Sequence, residues 1–359
     1  MAFCGYAKGL GSGFVLHCER TFRKTGETME TRRLGRTGLD VSLLTFGCGA
    51  VGGLMTKGDA RDQDRAVAWA RDHGINHFDT AAMYGNGASE TNLGRALGKN
   101  RGDVIVSTKV RLEGGDRGNV DAAIRSSLEA SLKRLQQDSV DLFQLHNTIA
   151  PWAAADALSV GDVLDDILAV FEKLRDEGKT RFLGFTANGD TDALHELVTA
   201  GRFDTAQVFY NVLTPSAGEP VAAGYPGQDY KQLLTAARDN DLGSIGVRVL
   251  AGGALSGHEA RHPLGVPVVA PIGSGSDYTA DVARAKRLEP LIVAGHSASL
   301  PELAIRYVIS NAGLSTTEIG IATLDELQQA ANAIDKGPLS AAALAQINQI
   351  RAGFVGEPA

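Results

Sequence analysis

Three short apolar runs in the first half of the chain end in titratable side chains, and this arrangement constrains the fold more than any other sequence feature. The runs occupy residues 75–79, 104–109 and 140–146. The side chains at or just after their ends are Asp79, Tyr84, Lys109 and His146. Short, continuous apolar runs are typical of strands buried on both faces of a parallel sheet. Since ligands bind at the carboxyl ends of such strands, we predict that these side chains form an active site.

The four residue types together suit proton transfer at a carbonyl or alcohol oxygen. A tyrosine with an ordinary pKa of about 10 needs a nearby cation to act near neutrality, and Lys109 can supply that charge. Asp79 would keep the lysine protonated, and a neutral His146 would donate a hydrogen bond to the reacting oxygen. Singly, these residues are more often a helix cap, a packing ring or a core histidine. Together they predict that Tyr84 shuttles the proton, with its pKa lowered by Lys109.

The motifs around these residues occur in the order found in a known family. They are Gly-Ile-Asn-His-Phe-Asp-Thr-Ala-Ala-Met-Tyr-Gly at 74–85, Leu-Gly-Arg-Ala-Leu at 93–97, Ser-Thr-Lys at 107–109 and Asp-Leu-Phe-Gln-Leu-His at 141–146. They resemble the motifs of the aldo-keto reductases, and the likeness extends from residue 33 to about residue 334. The resemblance implies an α/β fold of the (β/α)₈ TIM-barrel type and nicotinamide-dependent carbonyl or alcohol chemistry.

The remainder of the chain alternates strand and helix patterns, as in a parallel sheet. We expect the eight strands near residues 42–46, 75–79, 104–109, 140–146, 181–186, 205–210, 244–249 and 317–321. Before them, Thr37-Gly38 forms a turn between apolar positions and predicts an N-terminal hairpin. The resemblance implies that this hairpin plugs the bottom of the barrel.

Two connections are long for a barrel and should lie on its C-terminal face. They are residues 211–230 after the sixth strand and 251–280 after the seventh. Long loops on this face usually have a functional reason, although residues 216–228 could instead be a mobile surface loop. The resemblance implies that the loop after the seventh strand folds over the dinucleotide. It also implies that the loops after the fourth and sixth strands shape the substrate pocket.

One domain accounts for most of the 359 residues, because a barrel needs roughly 250 residues plus its loops. We assign the barrel to residues 29–352, a disordered or artefactual N-terminal extension to 1–28, and a tail to 353–359. A formal net charge of −7 argues against a nucleic-acid partner, and no apolar run is long enough to span a bilayer. The three cysteines, Cys4, Cys18 and Cys48, suit a reducing compartment. We therefore expect a cytoplasmic protein, monomeric or a small homo-oligomer, with a small-molecule substrate and no metal.

The resemblance also implies which residues bind the cofactor. Thr186 and Gln207 match side chains that hydrogen-bond the nicotinamide carboxamide, although Ala187 replaces the family's usual asparagine. The full expected set is Gly49, Ala50, Thr186, Gln207, Arg248, Leu250, Gly320, Ala322, Thr323 and Glu326. The expected substrate pocket contains Met83, Trp152 and Arg248, and the Arg248 guanidinium suits a phosphate or an anionic substrate.

The choice between NAD and NADP depends on the segment after the eighth strand. In the family, basic or amide side chains there grip the 2′-phosphate, and here the matching positions are Ala322 and Glu326. A carboxylate repels a phosphate but can accept a hydrogen bond from a ribose hydroxyl, so we expect NAD as the cofactor. The alternative is NADP, with Glu326 a solvated helix residue and a loop arginine on the phosphate.

The local sequence at the first and fourth strands resembles the branch containing aldose, galactose and pyridoxal dehydrogenases. NAD pools in cells favour oxidation, so we expect a dehydrogenase acting on a hydroxyl or a hemiacetal such as an aldose. One alternative is an NADPH-dependent aldehyde or ketone reductase. Another, from a different class, is a cofactor-binding redox sensor or a channel-type β-subunit, since the family's barrel also serves potassium channels.

Overall fold

A closed barrel of eight parallel strands lies at the centre of the molecule. The computed structural model describes residues 29–99, 101–102, 104–154, 157–269 and 278–357. The expected extension 1–28, which includes Cys4 and Cys18, lies outside this description. No helix within the described ranges is long and apolar enough to cross a membrane.

The strands follow the predicted runs closely. In chain order they are β1 (Thr31–Arg33), β2 (Asp40–Ser42), β3 (Leu44–Gly47), β4 (His77–Asp79), β5 (Ile105–Val110), β6 (Val140–Leu145), β7 (Thr148–Ala150), β8 (Ala157–Ser159), β9 (Thr180–Ala187), β10 (Thr205–Phe209), β11 (Gly243–Val247) and β12 (Thr316–Gly320). The barrel order is β10-β11-β12-β3-β4-β5-β6-β9, and neighbouring strands are parallel. The predicted (β/α)₈ barrel is therefore confirmed. β7 and β8 form a separate pair in the loop after β6, which sequence reasoning did not foresee.

Helices surround the barrel and bury their apolar faces against it. They are α1 (Leu54–Lys57), α2 (Ala60–Asp72), α3 (Ala88–Leu97), α4 (Val120–Leu135), α5 (Leu168–Asp176), α6 (Thr191–Thr199), α7 (Leu233–Asp239), α8 (Tyr278–Lys286), α9 (Glu289–Val293), α10 (Leu300–Ile309), α11 (Leu324–Asp335) and α12 (Ala341–Ala352). In α4, for example, Ile124, Leu128 and Leu132 recur at helical spacing and are buried. A π-helical stretch, Asp162–Ile167, leads into α5.

The N-terminal hairpin closes the bottom of the barrel, as predicted. β1 and β2 pair antiparallel, and Gly38 ends the connecting turn in the left-handed conformation with φ of 68°. Gly35 lies so close to the start of β11 that a Cβ atom there would stand 2.2 Å from the Gly243 nitrogen. The plug is a small apolar cluster of Leu34, Val41, Ile105, Leu142 and Ile245.

The loop after β10 is packed rather than free. The Ser216 hydroxyl donates to the Gln228 carbonyl oxygen at 2.8 Å, and the Gln228 amide donates to the Gly189 carbonyl oxygen at 2.7 Å. Farther along, the Glu219 carboxylate accepts hydrogen bonds from Tyr307 and Arg351, each at 2.6 Å. Residues 216–228 are thus hydrogen-bonded to Gly189 after β9 and to α10 and α12.

The end of the described chain also packs on the barrel helices. Phe354 is fully buried, and the Arg287 guanidinium lies 4.4 Å from the centre of its ring. The Glu357 carboxylate accepts a hydrogen bond from Arg284 at 3.0 Å. Residues 353–357, separated as a tail on sequence grounds, are therefore in contact with the domain.

Candidate active site

Polar side chains fill the barrel in two layers, because strand residues of one parity point inward. The lower layer, nearer the plug, consists of Thr45, His77, Ser107 and Thr316. His77 Nδ1 lies 2.8 Å from the Thr45 hydroxyl, and Nε2 lies 3.0 Å from the Ser107 hydroxyl. Thr45 also pairs with Thr316 at 2.7 Å. These groups satisfy one another.

The upper layer, at the mouth formed by the carboxyl ends of the strands, carries a buried ion pair. The Lys109 ammonium donates to Asp79 Oδ2 and, at 2.9 Å, to the Thr80 carbonyl oxygen. Asp79 Oδ1 accepts from Ser107 at 2.6 Å and from Gln144 at 3.0 Å. Both side chains of the pair are fully buried. Ser107 therefore links the lower layer to the ion pair.

The pair fixes the charges at the mouth. Burial would raise the pKa of Asp79, but the Lys109 charge and the hydrogen bonds from Lys109 and Ser107 together lower it. Burial likewise disfavours the lysine cation, yet the Asp79 carboxylate raises the pKa of Lys109 above its ordinary value. Lys109 is thus a permanent cation next to Tyr84, as its predicted role requires.

Tyr84 lies against both Lys109 and His146. Its hydroxyl is 3.4 Å from the lysine nitrogen, and its ring meets the His146 ring edge-on with centres 5.9 Å apart. Burial, with the charges of Asp79 and Glu318, raises the pKa of Tyr84 to about 12, although Lys109 acts to lower it. The cation pulls in the predicted direction, but desolvation of the phenolate is the larger effect.

His146 is neutral in this setting. Burial, followed by the Lys109 charge, lowers the pKa of His146 to about 3. Its Nδ1 atom is buried and has no hydrogen-bond partner among the described residues. A neutral imidazole with a free ring nitrogen can donate a hydrogen bond to a reacting oxygen.

Three side chains, one each from β9, β10 and β12, form a series of hydrogen bonds beside these four residues. The Thr186 hydroxyl donates to Gln207 Oε1 at 3.2 Å, and Gln207 Nε2 donates to Glu318 Oε2 at 2.9 Å. An amide offers two N–H donors and two lone pairs on its oxygen, so one of each remains available on Gln207. The free N–H and lone pair of Gln207 complement the carboxamide of a nicotinamide. Thr186, Gln207 and Glu318 therefore fit a nicotinamide cofactor.

Glu318 is the site residue that sequence reasoning missed. It stands on β12 between Thr317 and Ile319, in an otherwise uncharged strand. Burial and the neighbouring Asp79 carboxylate raise the pKa of Glu318 well above its ordinary value. The sequence did contain a signal for this residue. Glu318 is two positions after Thr316, and alternate residues of a strand share a face, so both side chains point into the barrel.

The expected cofactor residues at β3 and β11 border the same mouth. Gly49 faces Tyr84 so closely that a Cβ atom there would lie 3.6 Å from the phenol ring. Ala50 accepts a backbone hydrogen bond from Val266 at 3.0 Å, so the loop after β11 reaches across to the loop after β3. Arg248 adopts a left-handed backbone with φ of 60°, and Leu250 immediately precedes the short 3₁₀ helix Ala251–Ser256.

The segment after β12 forms the N-terminus of α11. Thr323 caps the helix by accepting from the Glu326 backbone N–H at 3.2 Å, and Glu326 Oε2 accepts from the Ala322 N–H at 2.8 Å. Gly320 ends the strand just before them. The Glu326 carboxylate is therefore folded back onto the helix N-terminus and is not an unattached solvated group.

The expected substrate residues differ in how exposed they are. Met83, next to Tyr84 in sequence, is 51% exposed, and Trp152, in the loop after β6, is 73% exposed. Arg248 lies deeper, at the end of β11. Within the described ranges no three His, Cys, Asp or Glu side chains are arranged to hold a metal ion.

Comparisons with known proteins show the family to which the chain belongs. A model of the Aldo/keto reductase family matches residues 43–352. L-galactose dehydrogenase of Arabidopsis thaliana is 28% identical over 312 residues, which cover 84% of this chain and 86% of that protein. NADH-specific methylglyoxal reductase of Escherichia coli (strain K12) is 31% identical over 199 residues, or 50% of this chain and 58% of the relative.

The chain is also similar to a channel subunit and to a solved aldo-keto reductase structure. A probable voltage-gated potassium channel subunit beta of Arabidopsis thaliana is 38% identical over 124 residues, covering 33% of this chain and 37% of that subunit. The crystal structure of an aldo-keto reductase from Klebsiella pneumoniae in complex with NADPH superposes with a TM-score of 0.65 and 23% identity, covering 92% of this chain and 97% of that one. At that identity the superposition supports the fold alone.

Proposed function

Because the chain belongs to the aldo/keto reductase family and is a nicotinamide-dependent oxidoreductase, we propose that it interconverts a hydroxyl or hemiacetal and a carbonyl through proton transfer at Tyr84. The observation that supports this most directly is the position of the Tyr84 hydroxyl, 3.4 Å from a lysine whose cation is held by buried Asp79. His146, edge-on to the Tyr84 ring, completes the set.

Each of these residues has one task. In reduction, Tyr84 donates its proton to the carbonyl oxygen, and Lys109 stabilises the phenolate that forms. In oxidation, the phenolate takes the proton of the alcohol. His146 donates a hydrogen bond to the same oxygen and orients it. When bound, the nicotinamide supplies or accepts the hydride.

The pKa of Tyr84, raised to about 12 by burial, makes the two directions differ in their dependence on pH. The phenol is protonated at neutral pH and can donate, whereas oxidation needs the phenolate. The rate of alcohol oxidation should therefore rise between about pH 7 and pH 10, while carbonyl reduction should not. Equal pH profiles in both directions would contradict the assignment of Tyr84.

For the cofactor we propose NAD(H), on account of Glu326. Its carboxylate occupies the N-terminus of α11, where backbone N–H groups would otherwise favour a phosphate. A 2′-phosphate would meet that negative charge, while a 2′-hydroxyl could donate to it. The similarity to the NADH-specific relative supports the same choice.

The test is kcat/KM measured with both coenzymes in the native protein and two variants. Glu326→Gln retains an oxygen that can accept from the Ala322 N–H, so it removes the charge while keeping the helix cap. It should reduce the preference for NAD(H), and adding Ala322→Arg should turn the preference toward NADP(H). A clear advantage for NADP(H) in the native protein would overturn the proposal.

For the substrate we propose an aldose or a similar polyhydroxylated alcohol. The similarity to L-galactose dehydrogenase spans most of both chains, and Arg248 and Trp152 lie on the face that carries the site. A panel of aldoses, including L-galactose, should be oxidised faster than simple alcohols of equal size. Faster turnover of small aldehydes with NADPH would instead identify a reductase.

The second candidate is a cofactor-binding redox sensor or channel-type subunit. It is favoured by the local similarity to a potassium channel subunit beta. The same substrate panel separates the two. Tight binding of a nicotinamide dinucleotide without measurable turnover on any member would favour the sensor over the enzyme.

A further inference from the structure

Gln207 is held by a protein partner at each end of its amide. Thr186 donates to the amide oxygen, and Glu318 accepts from the amide nitrogen. Gln207 is on β10; Thr186 is on the neighbouring strand β9, and Glu318 is on β12, two strands away on the other side. The Thr186 hydroxyl can donate or accept, so the accepting Glu318 oxygen is the contact that fixes which end of the amide carries the nitrogen.

Glu318 also joins this amide to the ion pair. Its carboxyl is close enough to Asp79 and Lys109 for the charges of both to act on it. Burial and then the Asp79 carboxylate raise the pKa of Glu318 well above its ordinary value. In either protonation state the carboxyl has an oxygen that can accept from Gln207 Nε2.

We propose that Glu318 is a positioning residue that fixes the orientation of the Gln207 amide and, through it, the orientation of the bound nicotinamide. The inference rests on the proposed function and assigns a role that neither the motifs nor the comparisons give. Without Glu318, the amide could rotate and exchange its oxygen and nitrogen. The free N–H and lone pair would then face a carboxamide in the wrong order.

Two substitutions separate positioning from charge. Glu318→Gln keeps a carbonyl oxygen that can accept from Gln207, whereas Glu318→Leu keeps the approximate size and removes the acceptor. Affinity for NAD⁺ and NADH, measured by quenching of protein fluorescence, should fall roughly tenfold in Glu318→Leu, the loss expected for about one hydrogen bond. It should remain within about threefold of the native value in Glu318→Gln.

A second measurement reports the orientation of the bound nicotinamide ring. With a deuterated alcohol, the native protein should deliver deuterium to one face of the nicotinamide, because the ring is held in one orientation. Glu318→Leu should label both faces to a measurable extent, and Glu318→Gln should not. A merely structural role for Glu318 would change stability without changing the labelled face.

Gln207→Leu provides the test of coupling. If Glu318 acts through Gln207, the double variant Glu318→Leu with Gln207→Leu should bind cofactor no more weakly than Gln207→Leu alone. Thr316→Val is the matched control on the same face of β12, since Thr316 pairs with Thr45 in the lower layer. It should lower stability and leave cofactor affinity unchanged.

The outcomes are distinct. Equal losses in Glu318→Gln and Glu318→Leu would show that charge, not orientation, matters and would overturn the inference. Unchanged affinity and labelling in Glu318→Leu, or additive effects with Gln207→Leu, would overturn it as well. Failure of the native protein to bind either dinucleotide would overturn the proposed function first and this inference with it.

Discussion

His77 and His146 lie in the same barrel, on neighbouring layers, and differ in what surrounds them. Burial is the main cause of the lowered pKa of both, to about 4 for His77 and about 3 for His146. In the lower layer both ring nitrogens of His77 meet hydroxyl groups, of Thr45 and Ser107. At the mouth, Nδ1 of His146 has no hydrogen-bond partner within the described part of the chain.

The difference indicates which of the two histidines keeps hydrogen-bonding capacity that a ligand could use. Burying a polar atom without a partner is costly, so an unpaired buried atom needs a reason. In the lower layer every named side chain has a partner, which suits a structural role. At the mouth, His146 and the Gln207 amide keep free hydrogen-bonding capacity, which suits binding and catalysis. This comparison can be tested by mutating residues at the mouth and residues deeper in the barrel.

The largest effect is expected for Tyr84→Phe at the mouth. Loss of the proton donor should lower turnover by about 10²–10⁴-fold, while the affinity for cofactor and the folding stability change little. Steady-state kinetics and cofactor titration on the same preparation measure both. Tyr230→Phe is the control, because Tyr230 is buried away from the site and its hydroxyl has no partner among the described residues. Similar losses in the two variants would break the comparison.

Lys109→Met should cost both activity and stability, because it leaves the Asp79 carboxylate buried without its cation. Breaking one side of a buried pair costs about 3–5 kcal/mol of unfolding free energy. Chemical denaturation should show that loss. Adding Asp79→Leu should recover much of the stability without recovering turnover. A loss below about 1 kcal/mol in Lys109→Met would mean that the pair is better solvated than its burial indicates.

At the opposite end of the barrel, Leu34→Ala should lower stability and leave the chemistry intact. Leu34 is fully buried in the plug, and removing its side chain should cost about 2–4 kcal/mol. Denaturation midpoints measure the loss, and kcat measured well below the unfolding temperature should stay near the native value. A large fall in kcat would show that packing at the plug affects catalysis at the mouth, so the two ends of the barrel would not be independent.

The smallest effect concerns pH, and it compares the two histidines directly. Both have a folded pKa below the ordinary value of about 6.5, so below that pH the unfolded chain binds more protons and stability falls. From about pH 7 to pH 5, each histidine should contribute a loss of about 2 kcal/mol. His77→Gln and His146→Gln should each remove a loss of that size, as measured by denaturation at both pH values.

The same two variants should differ in turnover. His146→Gln should lower it strongly, because the hydrogen bond to the reacting oxygen is altered, whereas His77→Gln should change it little. If His77→Gln lowered turnover as much as His146→Gln, the lower layer would have to take part in catalysis through Ser107 and Asp79.

The barrel and its four motif side chains could be predicted because their signals are local. Each strand is a continuous run of apolar residues, and each polar residue stands at the end of its own run. The order of β4, β5 and β6 in the barrel follows their order in the chain. Parallel strands with helical crossovers then bring the ends of the runs to one edge. The position of the mouth thus follows from the sequence with few alternatives.

What the sequence could not decide depends on contacts between distant residues. The direction of the Tyr84 pKa shift depends on how completely the fold removes water around it, which no motif reports. Glu318 became a site residue only because β12 lies next to β3 and brings its carboxyl near Asp79 and Gln207. Helix-capping geometry decided that the Glu326 carboxylate is hydrogen-bonded to the backbone at the start of α11.

The sequence by itself therefore determined the strand pattern and the identities of the four candidate catalytic side chains, since periodicity and residue type are properties of short segments. The closed barrel was implied by the resemblance of its motifs to those of a known family. Only the tertiary structure decided which charges face one another, which hydrogen-bonding atoms are left free, and in which direction each pKa shifts. Those properties depend on distances and on exclusion of water, and both arise when segments far apart in the chain pack together.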